Sequence, residues 1–256
     1  VFCATRHDTH AKYVIEAVKA GKPVFVEKPL AVNIDELREI VSAAEGKDAR
    51  IMVGFNRRFS GSFRAIANFF ANSAGPKSMI YRVNAGAIPA DHWIQSPEHG
   101  GRIIGEACHF IDCMVYLTGS IPVRVFAESI STENHRYTRD IISINIKFAD
   151  GSTGTVHYFA NGDKSVPKEY FEVFCDQSAA IMHDFRKVEF HRGGNLKKSF
   201  FKGRKGHSEE VKAFVKAVKE GGAMPISLDE IRAVTLATFA AEKSLDTGLP
   251  VNPAEL

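Results

Sequence analysis

Short apolar runs alternate with amphipathic stretches through residues 1–60, and no other feature of the chain restricts its fold as tightly. The runs at 1–5, 23–26 and 50–55 have the length and bounded ends of strands buried on both faces. Between the first two, Val14, Ile15 and Val18 share one side of a helix predicted over 8–20, which stops at Gly21, a residue free to take the left-handed cap. Between the second and third, Asn33 and Glu36 have the spacing of a reciprocal N-terminal cap. Strand, helix, strand in this order implies a parallel sheet covered by helices, because a parallel neighbour is reached only through a crossover. The chain starts on a strand with no initiator Met, so the expectation is a partial sheet that has lost preceding strands.

After Phe59 the pattern changes. A helix to about residue 72 and a strand at 79–84 lead into an irregular stretch with Pro89, Trp93 and Pro97, then a helix over 103–117 that ends at Gly119. Period-2 segments follow at 123–131, 140–148, 152–159, 169–175 and 187–192, with Asp150-Gly151 offering a type I′ hairpin turn. Helices at 208–219 and 228–245 close the chain, the second opened by a capping box of Ser227 and Glu230. The fold class expected is α/β: a partial Rossmann parallel sheet in residues 1–58, then an α+β domain in 59–256. The second domain's large, mainly antiparallel sheet is open, one face under helices and the other wet or used for oligomer contacts.

Charge narrows the partners. With 33 basic and 30 acidic residues the net charge is only +3, too small a field to recruit nucleic acid or an anionic membrane. No apolar stretch approaches the roughly 18 to 20 residues of a bilayer span. Four cysteines without Cys-x-x-Cys spacing point to a reducing, cytoplasmic setting.

Four clusters could carry chemistry. Glu27-Lys28-Pro29 directly follows the strand at 23–26, where doubly wound sheets bind their ligands; Lys28 there could serve as base or proton relay, or be a surface lysine in a turn. Thr5-Arg6-His7-Asp8-Thr9-His10 ends the first strand, with Thr5 at its tip and His10 placed to face the crevice; caps and turn residues are the plainer reading, and the two histidines are a weak metal signal. Phe55-Asn56-Arg57-Arg58-Phe59 ends the third strand, its arginines suited either to substrate oxygens or to a domain-boundary salt bridge. On the helix at 103–117, Ile104, Cys108, Ile111 and Val115 form a core stripe, and His109 with Asp112 and Tyr116 forms an adjoining face. Asp112 could set the tautomer of His109, or His109 could be a satisfied structural histidine.

In their order along the chain, Thr5-x-x-x-x-His10, Ala20-Gly21-Lys22, Glu27-Lys28-Pro29, Gly54-Phe55-Asn56-Arg57-Arg58-Phe59, Trp93, Gly100-Gly101 and His109-x-x-Asp112 resemble the glucose-fructose oxidoreductase and inositol dehydrogenase family. The resemblance implies an NAD- or NADP-dependent dehydrogenase acting on a sugar, nucleotide sugar or polyol, and oligomerising through its open sheet. It implies that Lys28 and His109 are catalytic, that Thr5, His10, Glu27, Lys28, Pro29 and Asn56 line the cofactor crevice, and that Arg57, Trp93, His109 and Asp112 surround the substrate, with no metal. The chain is also similar to a branch in which such a unit follows an alcohol-dehydrogenase-like domain. Two departures stand out: Gly105 occupies the place of an aspartate usual in the family, so either His109 works without that partner or the adjacent Glu106 supplies the carboxylate, and no Gly-x-Gly-x-x-Gly occurs anywhere in the chain. They leave a second reading open, a non-catalytic ligand-binding or assembly module.

Overall fold

The computed structural model describes residues 1–89, 91–130 and 139–256. Strands β1 (Phe2–Cys3), β2 (Val24–Val26) and β3 (Ile51–Val53) form a parallel sheet in that order, linked by helices α1 (His10–Lys19) and α2 (Ile34–Ala44). Every residue of β2 and β3 is buried, as the unbroken apolar runs require. The cap of α2 differs in one detail: the Asn33 side chain accepts from the Glu36 amide, but Glu36 accepts from the Val32 amide and not from Asn33.

The second sheet has eight strands in the order β11-β10-β9-β8-β4-β7-β6-β5. These are β4 (Ser78–Asn84), β5 (Pro122–Ser129), β6 (Ile141–Phe148), β7 (Thr153–Phe159), β8 (Glu169–Cys175), β9 (Ser178–His183), β10 (Lys187–Arg192) and β11 (Asn195–Phe200). All neighbours are antiparallel except β4 and β7. Residue 131, the last of the strand predicted to begin at 123, lies outside the described residues. Alternate residues of β4, β6, β7, β8 and β9 are buried, facing a core shared with α3 (Gly61–Phe69), α4 (Cys108–Thr118) and α6 (Leu228–Thr247). Helix α5 (His207–Glu220) lays Phe214 against Phe25 and Phe2 of the parallel sheet. Apolar contacts therefore run without a break from one sheet to the other.

Two local expectations are corrected. At Asp150-Gly151 only Gly151 has a positive φ (91°), so the β6–β7 connection is not a type I′ turn, which needs both central residues there. The helix predicted over 103–117 begins as a π turn, Ile103–Ala107, before continuing as α4; its end at Gly119, φ 63°, is as expected.

Candidate active site

Parallel pairing places Cys3 opposite Val26 and Val26 opposite Val53, so the chain leaves all three strands at one edge of the sheet. That edge carries Thr5, Glu27-Lys28-Pro29 and Asn56, beyond the carboxyl ends where open α/β sheets hold ligands. The π turn and α4 close over it: the Lys28 ammonium donates to the Gly105 carbonyl and to Glu106 Oε1, both at 2.7 Å. A π turn of this kind is a frequent device at functional sites, since the wider winding shifts backbone groups out of α register. Burial alone would raise the Glu106 carboxyl; the Lys28 ammonium reverses this and holds it below its ordinary value.

His109 lies four residues beyond Gly105, in the first turn of α4, only 6% exposed and with its Nδ1 sealed from solvent without a partner. Burial, followed by the positive charges of Arg57 and Lys28, lowers its pKa well below the ordinary imidazole value, so the ring is neutral at neutral pH. Its expected partner is elsewhere engaged. Asp112 is fully buried and accepts from Arg58 at 2.6 and 3.0 Å, so among the described residues it pairs with Arg58 and not with His109.

Arg57 is likewise consumed: its guanidinium forks onto Glu169 at 2.9 and 3.0 Å, and Lys205 and Tyr81 donate to the same carboxylate. Burial opposes ionisation of Glu169, but Arg57 and Lys205 overcome it and hold the carboxyl down at about 2. Arg57 thus forms the salt bridge that the sequence offered as an alternative to a substrate contact. Asn56 is 2% exposed and donates to the Lys205 carbonyl, which braces the turn. His10 is fully buried, with Nδ1 2.8 Å from the Pro29 carbonyl and Nε2 3.1 Å from the Thr5 carbonyl; it joins the tips of β1 and β2 and presents no free nitrogen to the crevice.

Thr5 remains exposed, donating to the Thr9 hydroxyl, whose own proton goes to the Arg6 carbonyl. Glu27 turns back over the sheet, where a Cβ on Gly54 would come within 2.9 Å of its Oε2. Trp93 is half-buried, edge-on to His7 and His99 at 5.1 Å each. A cavity of about 490 Å³ borders the same segment, lined by Gly100, Arg102, Ile104, Arg139 and Glu242, but neither Lys28 nor His109 opens into it. The described residues contain no cluster of His, Cys, Asp and Glu suited to a metal.

A parallel sheet whose exit edge meets a lysine, a carboxylate and a neutral histidine, backed by an open antiparallel sheet, defines a nucleotide-dependent oxidoreductase of two-part design. Comparison with known proteins gives the family. The model of the oxidoreductase family with an NAD-binding Rossmann fold matches residues 1–55, and the GFO/IDH/MocA C-terminal domain matches residues 70–181. The chain belongs to the GFO/IDH/MocA family of NAD-binding oxidoreductases. It is 26% identical to myo-inositol 2-dehydrogenase of Thermotoga maritima over 96% of this chain and 77% of that protein. It is 25% identical to inositol 2-dehydrogenase of Rhizobium meliloti, over 94% of this chain and 76% of that protein. Its fold superimposes on the crystal structure of a probable dehydrogenase from Thermotoga maritima with a TM-score of 0.80, at 25% identity, covering 100% of this chain and 81% of that one.

The donor set fits the nicotinamide end of such a cofactor: a hydroxyl at Thr5 and an ammonium at Lys28 stand on adjacent strand tips, open on one side and floored by His10. The Gly-x-Gly-x-x-Gly turn that would hold the pyrophosphate is not among these 256 residues. Two site features are not legible in the sequence. The sequence offers Glu106 as a carboxylate partner for His109, whereas the structure pairs it with Lys28, and that pairing needs the π turn, which no local signal announces. In the sequence His7 reads as a turn residue or a weak metal ligand, with no substrate role.

Proposed function

We propose that this chain forms the catalytic part of an NAD(P)-dependent dehydrogenase that oxidises a hydroxyl of a cyclic polyol or sugar. The observation that supports it most is the seating of the Lys28 ammonium on Gly105 and Glu106, one turn before His109, a neutral imidazole that feels the Lys28 charge and packs on Phe55 at the exit of β3. Residues 1–58 serve the cofactor and 59–256 the substrate, Thr5, Glu27, Lys28 and Pro29 standing on the nicotinamide side and Trp93 and His109 on the substrate side. The nicotinamide, when bound, supplies the acceptor for the hydride leaving carbon. His109 Nε2 accepts the hydroxyl proton, and Lys28, fixed by Glu106, donates a hydrogen bond to the oxygen that loses it.

Inositol 2-dehydrogenases among the relatives support a polyol as substrate. Four free cysteines, all buried, support a reducing, cytoplasmic setting, and no described helix is long and apolar enough to cross a membrane. The open sheet supports self-association. The test is a screen of cyclic polyols, aldoses and nucleotide sugars with NAD⁺ and NADP⁺ on the native protein. Cofactor reduction with at least one of them is expected; a protein that neither binds the dinucleotides nor reduces them is a non-catalytic module.

A further inference from the structure

We propose that His7, whose ring takes the space that a side chain at position 105 would otherwise fill, is a substrate-binding residue, its Nε2 accepting a hydrogen bond from a hydroxyl next to the one oxidised. The inference rests on the polyol-dehydrogenase reading and adds a residue to that site. His7 opens the one-turn 3₁₀ segment His7–Thr9 after β1 and is 5% exposed. Its ring lies over the π turn: a Cβ built on Gly105 would come 2.9 Å from His7 Cε1, closer than real Cβ contacts allow, and 3.3 Å from Nδ1, tighter than most. Glycine at 105 is therefore the condition for this imidazole to stand where it does. Lys28 meets the same residue from its carbonyl, so His7 and Lys28 converge on Gly105.

The tautomer follows from the partner. His7 Nδ1 is 2.9 Å from the His99 carbonyl, which can only accept, so Nδ1 carries the proton and Nε2 the lone pair. Nε2 has no partner among the described residues and is not sealed from solvent. Trp93 edge-on at 5.1 Å and the His10 ring at 5.8 Å hold the plane, so the acceptor is fixed before a ligand arrives. A neutral acceptor beside the Lys28 ammonium suits a ligand with neighbouring hydroxyls: one oxygen takes the lysine's hydrogen bond and the next hydroxyl donates to His7. A carboxylate at 105 would bring a charge to the same place; the imidazole does not.

Four variants of the native protein, His7→Ala, His7→Gln, Gly105→Asp and the double variant His7→Ala/Gly105→Asp, test the assignment, with myo-inositol and D-glucose as probes. For whichever probe binds, His7→Ala should weaken affinity and raise KM about tenfold with a smaller change in kcat, while His7→Gln, which keeps an acceptor near the Nε2 position, should recover most of it. Gly105→Asp should be destabilised alone and tolerated once His7 is alanine. Wild-type protein labelled with ¹⁵N histidine should show an unprotonated Nε2 whose signal moves on addition of the probe, a measurement that survives any variant failing to fold. Equal affinity in wild type and His7→Ala, or an Nε2 signal unmoved by a bound probe, overturns the role of His7 and leaves the dehydrogenase reading intact. A wild type that binds and oxidises no polyol or sugar overturns that parent reading, and this one with it.

Discussion

Lys28 and His109 carry the proposed chemistry, and each is fixed by a neighbour that can be tested separately. Replacing either with alanine should lower turnover roughly a hundredfold or more, the scale of general acid-base catalysis, with cofactor affinity little changed; turnover close to wild type in both would remove them from the mechanism. The pH dependence follows from burial. His109 faces the charges of Arg57, Lys28, Lys205 and His207, and all of them with desolvation favour the neutral ring. The base form therefore persists as pH falls through the ordinary imidazole range, and kcat/KM in the oxidation direction should decline only below it. An acid limb centred in that ordinary range would contradict the buried, neutral His109. Glu210 offers a test of stability. It is 1% exposed with Oε2 unpartnered, and burial, then the Glu27 and Asp112 charges, push its carboxyl up to about 9. The native state keeps this proton where the unfolded chain has lost it, so stability falls as pH rises from the ordinary carboxylate range toward 9. Glu210→Gln should flatten that fall, gaining about 1–3 kcal/mol at mildly alkaline pH and little in acid, as read by denaturant unfolding across pH.

Among the elements, the 3₁₀ segment Asn56–Phe59 holds the two parts of the chain together, because all its residues are buried and its two arginines point to different places. Arg57 reaches Glu169 at the start of β8, and Arg58 reaches Asp112 in α4 and Glu230 in α6. Truncating Arg58 to alanine would strand the Asp112 carboxylate in the core, at a cost of about 3–5 kcal/mol by chemical denaturation, with no specific change in KM for those molecules that remain folded. A rise in KM at unchanged stability would restore these residues to the substrate site. The sequence singled out both arginines and Asp112 but not Glu169, and it revealed neither pair, because Arg57 and Glu169 are brought together by tertiary packing that no local spacing encodes. Strands β1 to β3 and helices α1 and α2 were legible, since apolar period and caps agree there. Strands β9 and β11 were not: Ser178-Ala179-Ala180-Ile181-Met182 lacks β-branched alternation, and β11 has little apolar face, with most of its residues exposed. The turn into β9, Asp176-Gln177, takes positive φ at both residues without a glycine to signal it. Gly193-Gly194, before β11, did carry a hairpin signal that the polar strand beyond it obscured.

For the whole molecule, the wide sheet is helix-covered on one side only. On the other side Ile80 of β4 and Phe174 of β8 are 38% and 44% exposed near the sheet centre, flanked by Thr155, Glu172 and Ile181. If this surface joins copies of the chain, Ile80→Lys with Phe174→Glu should lower the mass measured by light scattering to that of the protomer, with secondary structure unchanged; an unaltered mass would locate any self-association elsewhere. The position of β4 has a further effect. It pairs on one side with β7 and on the other with β8, both far later in the chain, and the bond to β7 is the sheet's single parallel one. During synthesis, therefore, the middle of the sheet is made first and stays without either neighbour until residue 153 and then 169 have followed. Chain order and assembly order run in opposite directions here, and the long closures this demands slow folding at this strand more than at any hairpin beyond β8.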